Sequence, residues 1–215
     1  MQRLTIGLVL LLFPVVLACG PSAPEPAASP EAATPAPTPA PTAAEPSPQD
    51  RFWDHLTALC GQAFEGAVTS NDEVDADFAS EVLTMHVRRC ADDRIEIPFH
   101  VGENRSRTWV LTRLDDGLQL QHDHRHEDGH EDTVTLYGGR TSEPGEENAQ
   151  HFPADDFSQK LFVANGLDAS VANVWSFELE PGQRFSYILR RPERHFQADF
   201  DLATPVPEPP APWGH

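Results

Sequence analysis

The residues best suited to chemistry stand in one short stretch, Leu118-Gln119-Leu120-Gln121-His122-Asp123-His124-Arg125-His126, closed by Asp128-Gly129-His130-Glu131-Asp132. Alternate residues of a strand share a face, so His122, His124 and His126 form one row that continues the apolar parity of Leu118 and Leu120. Two upstream turns set the neighbours of that row. A turn at Gly102-Glu103-Asn104 pairs Val101 with Arg105, Phe99 with Arg107 and Ile97 with Trp109. A turn at Leu114–Gly117 pairs Leu111 with Leu120, Trp109 with His122, Arg107 with His124 and Arg105 with His126. A three-residue loop at Asp128–His130 then sets His126 beside Asp132, His124 beside Val134 and His122 beside Leu136, and a different loop length shifts this last pairing by one residue and flips its face. The three strands predict an apolar floor and a mouth lined by Arg105, Arg107, His124 and His126, with Trp109 and His122 deeper.

Three chemistries suit this patch. Arginine forks and imidazoles can hold the anionic head of a small amphipathic ligand while Trp109 and aliphatic side chains hold its body. Neutral imidazoles at His122, His124 and His126 can instead chelate Zn or Cu, with Asp132 or His86 completing the shell, although Arg105 and Arg107 on the same face repel a cation. The third reading is a charged hairpin tip in solvent, which suits Asp123, Arg125, Glu127 and His130. By parity His86 and His100 also face outward. The chain has no G-x-S-x-G, P-loop, H-E-x-x-H or glycine-rich dinucleotide signature, so no common enzyme class is indicated. The expected activity is binding, with acid–base or metal catalysis by the His/Arg cluster and a structural or interaction role in the envelope without a ligand site as alternatives.

The elements that position these residues are mostly strands. Asp50 to Leu59 reads as a short helix with Phe52, Leu56 and Leu59 on one side and Asp50 as its cap. The period then changes to two. Strands are predicted at Gln62–Thr69, Val82–Arg89, Ile95–Val101, Arg105–Thr112, Leu118–His126, Glu131–Tyr137, Asn173–Glu180, Arg184–Arg190 and His195–Leu202. A second helix falls near Asp155–Ala164, with Phe157 and Leu161 on its packed face. About nine strands with one apolar face each need closure or stacking. The expectation is a mostly β fold, an antiparallel up-and-down barrel with two short helices whose last strand closes on the first, with a β-sandwich as the alternative.

The flanks read differently. Residues 19–49 are nearly all Pro, Ala, Ser, Thr and Glu, too poor in apolar residues to fold, and form a semi-rigid spacer. Residues 50–204 make one domain, and 205–215 a proline-rich tail. The chain carries 34 acidic and 15 basic residues, a balance that excludes nucleic acid as a partner. Residues 1–18 combine Arg3 with an apolar run to Leu17, shorter than a membrane span, as in a signal peptide. Val16-Leu17-Ala18-Cys19 resembles a lipobox, which identifies the chain as similar to bacterial lipoproteins. That resemblance implies cleavage before Cys19, lipidation of its thiol, attachment to the lipid bilayer and residence in the cell envelope, with Gly20 pointing to the outer membrane. Cys60 and Cys90 remain, in an oxidising compartment and at the open ends of a predicted hairpin, so a disulfide is expected. The opening helix followed by Leu59-Cys60-Gly61-Gln62-Ala63-Phe64-Glu65-Gly66 resembles the entry to lipocalin-type (calycin) barrels, with Phe64 displaced from the usual Trp position and the second helix preceding the last three strands.

Overall fold

Antiparallel pairing leaves most strands beside their sequence neighbours, and the described chain is such a meander. The computed structural model describes Gly20 and residues 45–215; the apolar run, the Val16–Cys19 motif with its lipidation site and nearly all of the spacer lie outside the described residues. The chain opens with α1 (Pro48–Thr57). Ser47 caps it: its Oγ accepts from the Asp50 amide at 3.1 Å, and the Asp50 carboxylate accepts from the Ser47 amide at 2.9 Å. The expected cap at Asp50 is therefore the reciprocal half of a capping box, three residues into the element. Phe52, Trp53 and Leu56 are its buried residues.

The strands are β1 (Ala63–Val68), β2 (Leu83–His86), β3 (Arg89–Cys90), β4 (Arg94–Val101), β5 (Asn104–Leu114), β6 (Gly117–His124), β7 (Tyr137–Arg140), β8 (Ala149–Pro153), β9 (Val174–Glu180), β10 (Arg184–Arg191) and β11 (Arg194–Val206). A turn of 3-10 helix (Glu73–Asp75) and α2 (Ala76–Ala79) lie between β1 and β2, and α3 (Asp156–Ala164) follows β8. The sheet order is β7-β6-β5-β4-β2-β1-β11-β10-β9-β8, all antiparallel, with β3 on a spur of β4. This is a nearly closed up-and-down barrel of ten strands with three short helices, as the periodicity predicts, and not a sandwich. The last strand pairs with the first, Gly66 opposite Phe200 and Val68 opposite Ala198. Cys60 and Cys90 form a disulfide with Cα atoms 6.3 Å apart across the base of the β1–β2 hairpin. By the chain-entropy argument, closing this 30-residue separation contributes about 3–4 kcal/mol.

The remaining seam, between β7 and β8, is held by an isolated bridge from Gly139 to Ala154. Beside it, Asp155 N–H donates to Gly138 O at 3.1 Å, and Gly138 N–H donates to Ser158 Oγ at 2.7 Å. Both glycines are required by close approach: a Cβ on Gly138 would lie 1.8 Å from Leu120 O, and one on Gly139 would lie 2.0 Å from Pro153 O. Asp155 caps α3 through its side chain, and the helix packs through Ser158 and Phe162, one turn apart. Phe157, expected on the packed face, is 54% exposed, because this face is set by where Asp155 and Ser158 meet Gly138.

Two expectations about the surface need correction. Residues 207–215 are not a free tail but a strap over the outer face of β4, β5 and β6. Trp213 N–H donates to Arg105 O at 3.0 Å, an Arg105 guanidinium N–H donates to Ala211 O at 2.9 Å, and His215 Nε2 lies 3.0 Å from an Asp123 oxygen. His86, His100 and Asp123 face outward as parity demands, yet all are buried. Glu208 of the strap raises the affinity of His86 for a proton, against the larger opposing effect of burial.

Candidate functional site

A cavity of about 170 Å³ lies inside the barrel at the end of β5 and β6 that carries Arg107 and His124. The opposite end is stoppered by α1, whose Asp50 pairs with Arg113, six residues and about 20 Å further along β5. Trp109 forms the floor. Its indole stacks on Phe99 with centroids 4.6 Å apart and lies 4.5 Å from the Tyr187 ring. Behind it Phe177, Phe185 and Phe200 pack 5.6–6.2 Å away and fill the barrel. Above it the walls are His122, His124, Tyr137, Tyr187, Leu189, Arg194 and Phe196. The β1–β2 connection crosses the mouth and contributes Asp75 and Phe78. It is latched by Arg194, which donates to both Asp75 oxygens and to Asp72 at 3.0 Å. Phe78 sits edge-on to Phe196, centroids 5.7 Å apart, and beneath the Arg107 guanidinium at 5.0 Å.

The predicted register holds where it matters. Phe99 pairs with Arg107, Ile97 with Trp109, Trp109 with His122 and Arg107 with His124. Arg107, Trp109, His122 and His124 all line the cavity. Arg105 and His126 do not. Val101 pairs with Asn104 rather than Arg105, so β5 gains one residue between Asn104 and Arg107, and Arg105 bonds the strap on the outer face. His126 lies beyond the end of β6, exposed in a tight turn where Gly129 N–H donates to His126 O at 2.9 Å. The expected strand from Glu131 to Tyr137 is absent; its place along β6 is taken by irregular chain and then by β7, and His122 faces Tyr137 instead of Leu136. Asp132 therefore caps a local turn, accepting from Val134 N–H at 3.2 Å. Of the four expected metal ligands, His122 and His124 are brought together while His126 and Asp132 are not. Among the described residues no three His, Cys, Asp or Glu side chains converge where a metal ion could be held.

Both tyrosines of the chain reach this site, and each bonds a histidine. Tyr187 OH is 2.8 Å from His122 Nε2, and Tyr137 OH is 3.1 Å from His124 Nε2. His122 Nδ1 lies 3.1 Å from the Tyr137 carbonyl, which can only accept, so Nδ1 carries the proton and Nε2 accepts from Tyr187. Burial, reinforced by His124, holds the His122 pKa down to about 3. Burial and then Arg107 lower that of His124 to about 4, and burial raises that of the Tyr137 phenol to about 12. At neutral pH these four groups are uncharged. Tyr187 escaped the sequence reading although Phe185, Tyr187 and Leu189 alternate on β10, because its approach to His122 crosses the barrel between strands far apart in sequence.

Arg107 is the exception. It is half-buried, its guanidinium donates to Asn104 Oδ1 at 3.1 Å and Ser106 Oγ at 3.2 Å, and among the described residues it forms no ion pair. Burial lowers its pKa below the usual guanidinium value, the signature of a cation held without a counter-ion. Comparisons of the chain with protein-family models, curated proteins and solved structures gave no match, so the site is read from its own geometry.

Three histidines, His100 and His122 buried and His124 half-buried, give a pH dependence of definite sign. The pKa values of His122, His124 and His100 are lowered on folding, to about 3, 4 and 4, mainly by burial. Each contributes stability that is present above the unfolded value near 6.5 and is lost as the pH falls towards the folded value. The loss is about 2 kcal/mol per independently titrating histidine between pH 7 and pH 5. The melting temperature should fall steadily across that window, before the carboxylates titrate. A flat profile from pH 7 to pH 5 would show that these imidazoles are not buried as described.

Proposed function

We propose that the chain is a lipid-anchored binding module of the bacterial cell envelope, whose barrel takes a small amphipathic anion at the cavity over Trp109. The observation that carries the binding reading is Arg107, a guanidinium with no carboxylate partner among the described residues, in a cavity whose other guanidinium, Arg194, is already paired with Asp75 and Asp72. A half-buried guanidinium that hydrogen-bonds only neutral oxygens keeps its charge for an anionic ligand, while the aromatic walls take the ligand's body. The polar tip and apolar floor also agree with the resemblance of the opening residues to lipocalin-type barrels. The envelope reading rests on Val16-Leu17-Ala18-Cys19 and on the spacer after it. The Cys60–Cys90 disulfide is in keeping with an exported chain.

Two experiments test the two halves. Hexanoate at ten times its Kd should stabilise the protein by about 1.4 kcal/mol, raising the melting temperature by about 3–5 °C. Leu189→Trp, which fills the cavity, should remove that shift; an equal shift in both proteins, or none in the wild type beyond that given by sulfate, would refute the site. Cys19→Ser should move the protein from the membrane fraction to the soluble fraction of the producing bacterium, and unchanged membrane attachment would refute the anchor.

A further inference from the structure

The charges around the cavity narrow the ligand further. Two guanidinium groups and one carboxylate line it, but Arg194 is occupied by Asp75 and Asp72, so its charge is already cancelled. One positive charge, that of Arg107, is left for a ligand. The Arg194, Asp75 and Asp72 cluster holds two carboxylates against one guanidinium, and its residual negative charge beside the cavity opposes a second negative charge on anything bound there. A phosphate monoester carries about −1.5 to −2 at pH 7 and exceeds what one guanidinium can neutralise. A planar carboxylate matches both the charge and the two-pronged donor geometry of arginine. A cation meets the like charge of Arg107, and the lone pair of His122 Nε2 is already used by Tyr187.

The apolar part is bounded as well. A dry cavity of about 150 Å³ accepts one benzene ring, and this one measures about 170 Å³. Its apolar walls are largely aromatic: Phe78, Phe99 and Phe196 stand around it, with Phe78 6.4 Å from Phe99 and 5.7 Å from Phe196 between ring centroids. Rings packed against one another in this way form a continuous aromatic wall that a flat guest meets edge-on or offset. We propose that the cavity selects a singly charged carboxylate on one aromatic ring, or on an apolar group of that size, against phosphate monoesters and cations. The inference rests on the cavity being a ligand site, and adds the head group, its charge and the size of the body.

The test is a selectivity series on the intact protein at pH 7 and physiological salt, using benzoate, benzyl alcohol, phenyl phosphate and benzylamine. Binding is followed by NMR shift perturbation, which reads millimolar affinities. Benzoate should bind at least tenfold more tightly than each of the other three, and Arg107→Gln should bring benzoate within about twofold of benzyl alcohol. Because the series is read first on the wild type, it does not depend on a variant folding. Phenyl phosphate binding as well as benzoate would overturn the single-charge inference and leave the anion site standing. Benzyl alcohol or benzylamine matching benzoate would overturn carboxylate selection and leave only an apolar cavity. No binding by any of the four would overturn both this inference and the ligand-site reading.

Discussion

A ten-strand meander becomes a chamber only if its two ends meet, and here they meet at positions that lack side chains. Gly138 and Gly139 allow β7 to lie against Leu120 on one side and Pro153 on the other, at distances that no Cβ can share. Tyr137 immediately precedes them. Its carbonyl sets the tautomer of His122, its ring stacks on the His122 ring at 4.8 Å, and its hydroxyl meets His124. The polar wall of the cavity is therefore held by the seam. A side chain at either glycine would displace β7 and take Tyr137 with it.

Within that chamber the polar groups are arranged to be silent. Each phenol is bonded to an imidazole, all four are neutral at pH 7, and Arg194 is cancelled by the lid it holds down. The guanidinium of Arg107 stands out against this background. Its contact with the Phe78 ring supplies about 1–2 kcal/mol at most, and no carboxylate among the described residues pairs with it. Asn104 and Ser106 do not depend on it, since Ser106 N–H and Oγ–H both donate to Asn104 Oδ1 at 3.1 and 2.6 Å. A half-buried guanidinium whose partners are all neutral is understandable if its counter-charge arrives from outside.

Much of this was legible in the sequence, and the failures have identifiable causes. The pairing of β4, β5 and β6 follows from turn length and from two-residue parity, and these alone bring Arg107, Trp109, His122 and His124 together. One extra residue between Asn104 and Arg107 removed Arg105 from the row, and a bulge of that kind leaves no trace in a hydrophobic pattern. β7 was hidden because Tyr137-Gly138-Gly139-Arg140 has no alternation to read; the Val134 and Leu136 parity upstream imitated a strand instead. The strap was read as a tail because proline-rich chain forms no regular element, although Trp213 and the backbone around it can still dock. Tyr187, Asp75 and Phe78 reach the site from elements distant in sequence, and single-strand patterns carry no information about such meetings.

The central claim is that Arg107 is kept for a ligand and not for the fold. Arg107→Met tests it most directly, since methionine keeps the apolar stem and deletes the charge. The account predicts that the ligand-free variant melts at the wild-type temperature or a few degrees above it, each kcal/mol gained raising the melting point by about 2–4 °C in a domain of this size, while benzoate no longer stabilises it. A ligand-free variant that melts several degrees below the wild type would show that the guanidinium holds the barrel together, and would contradict the account.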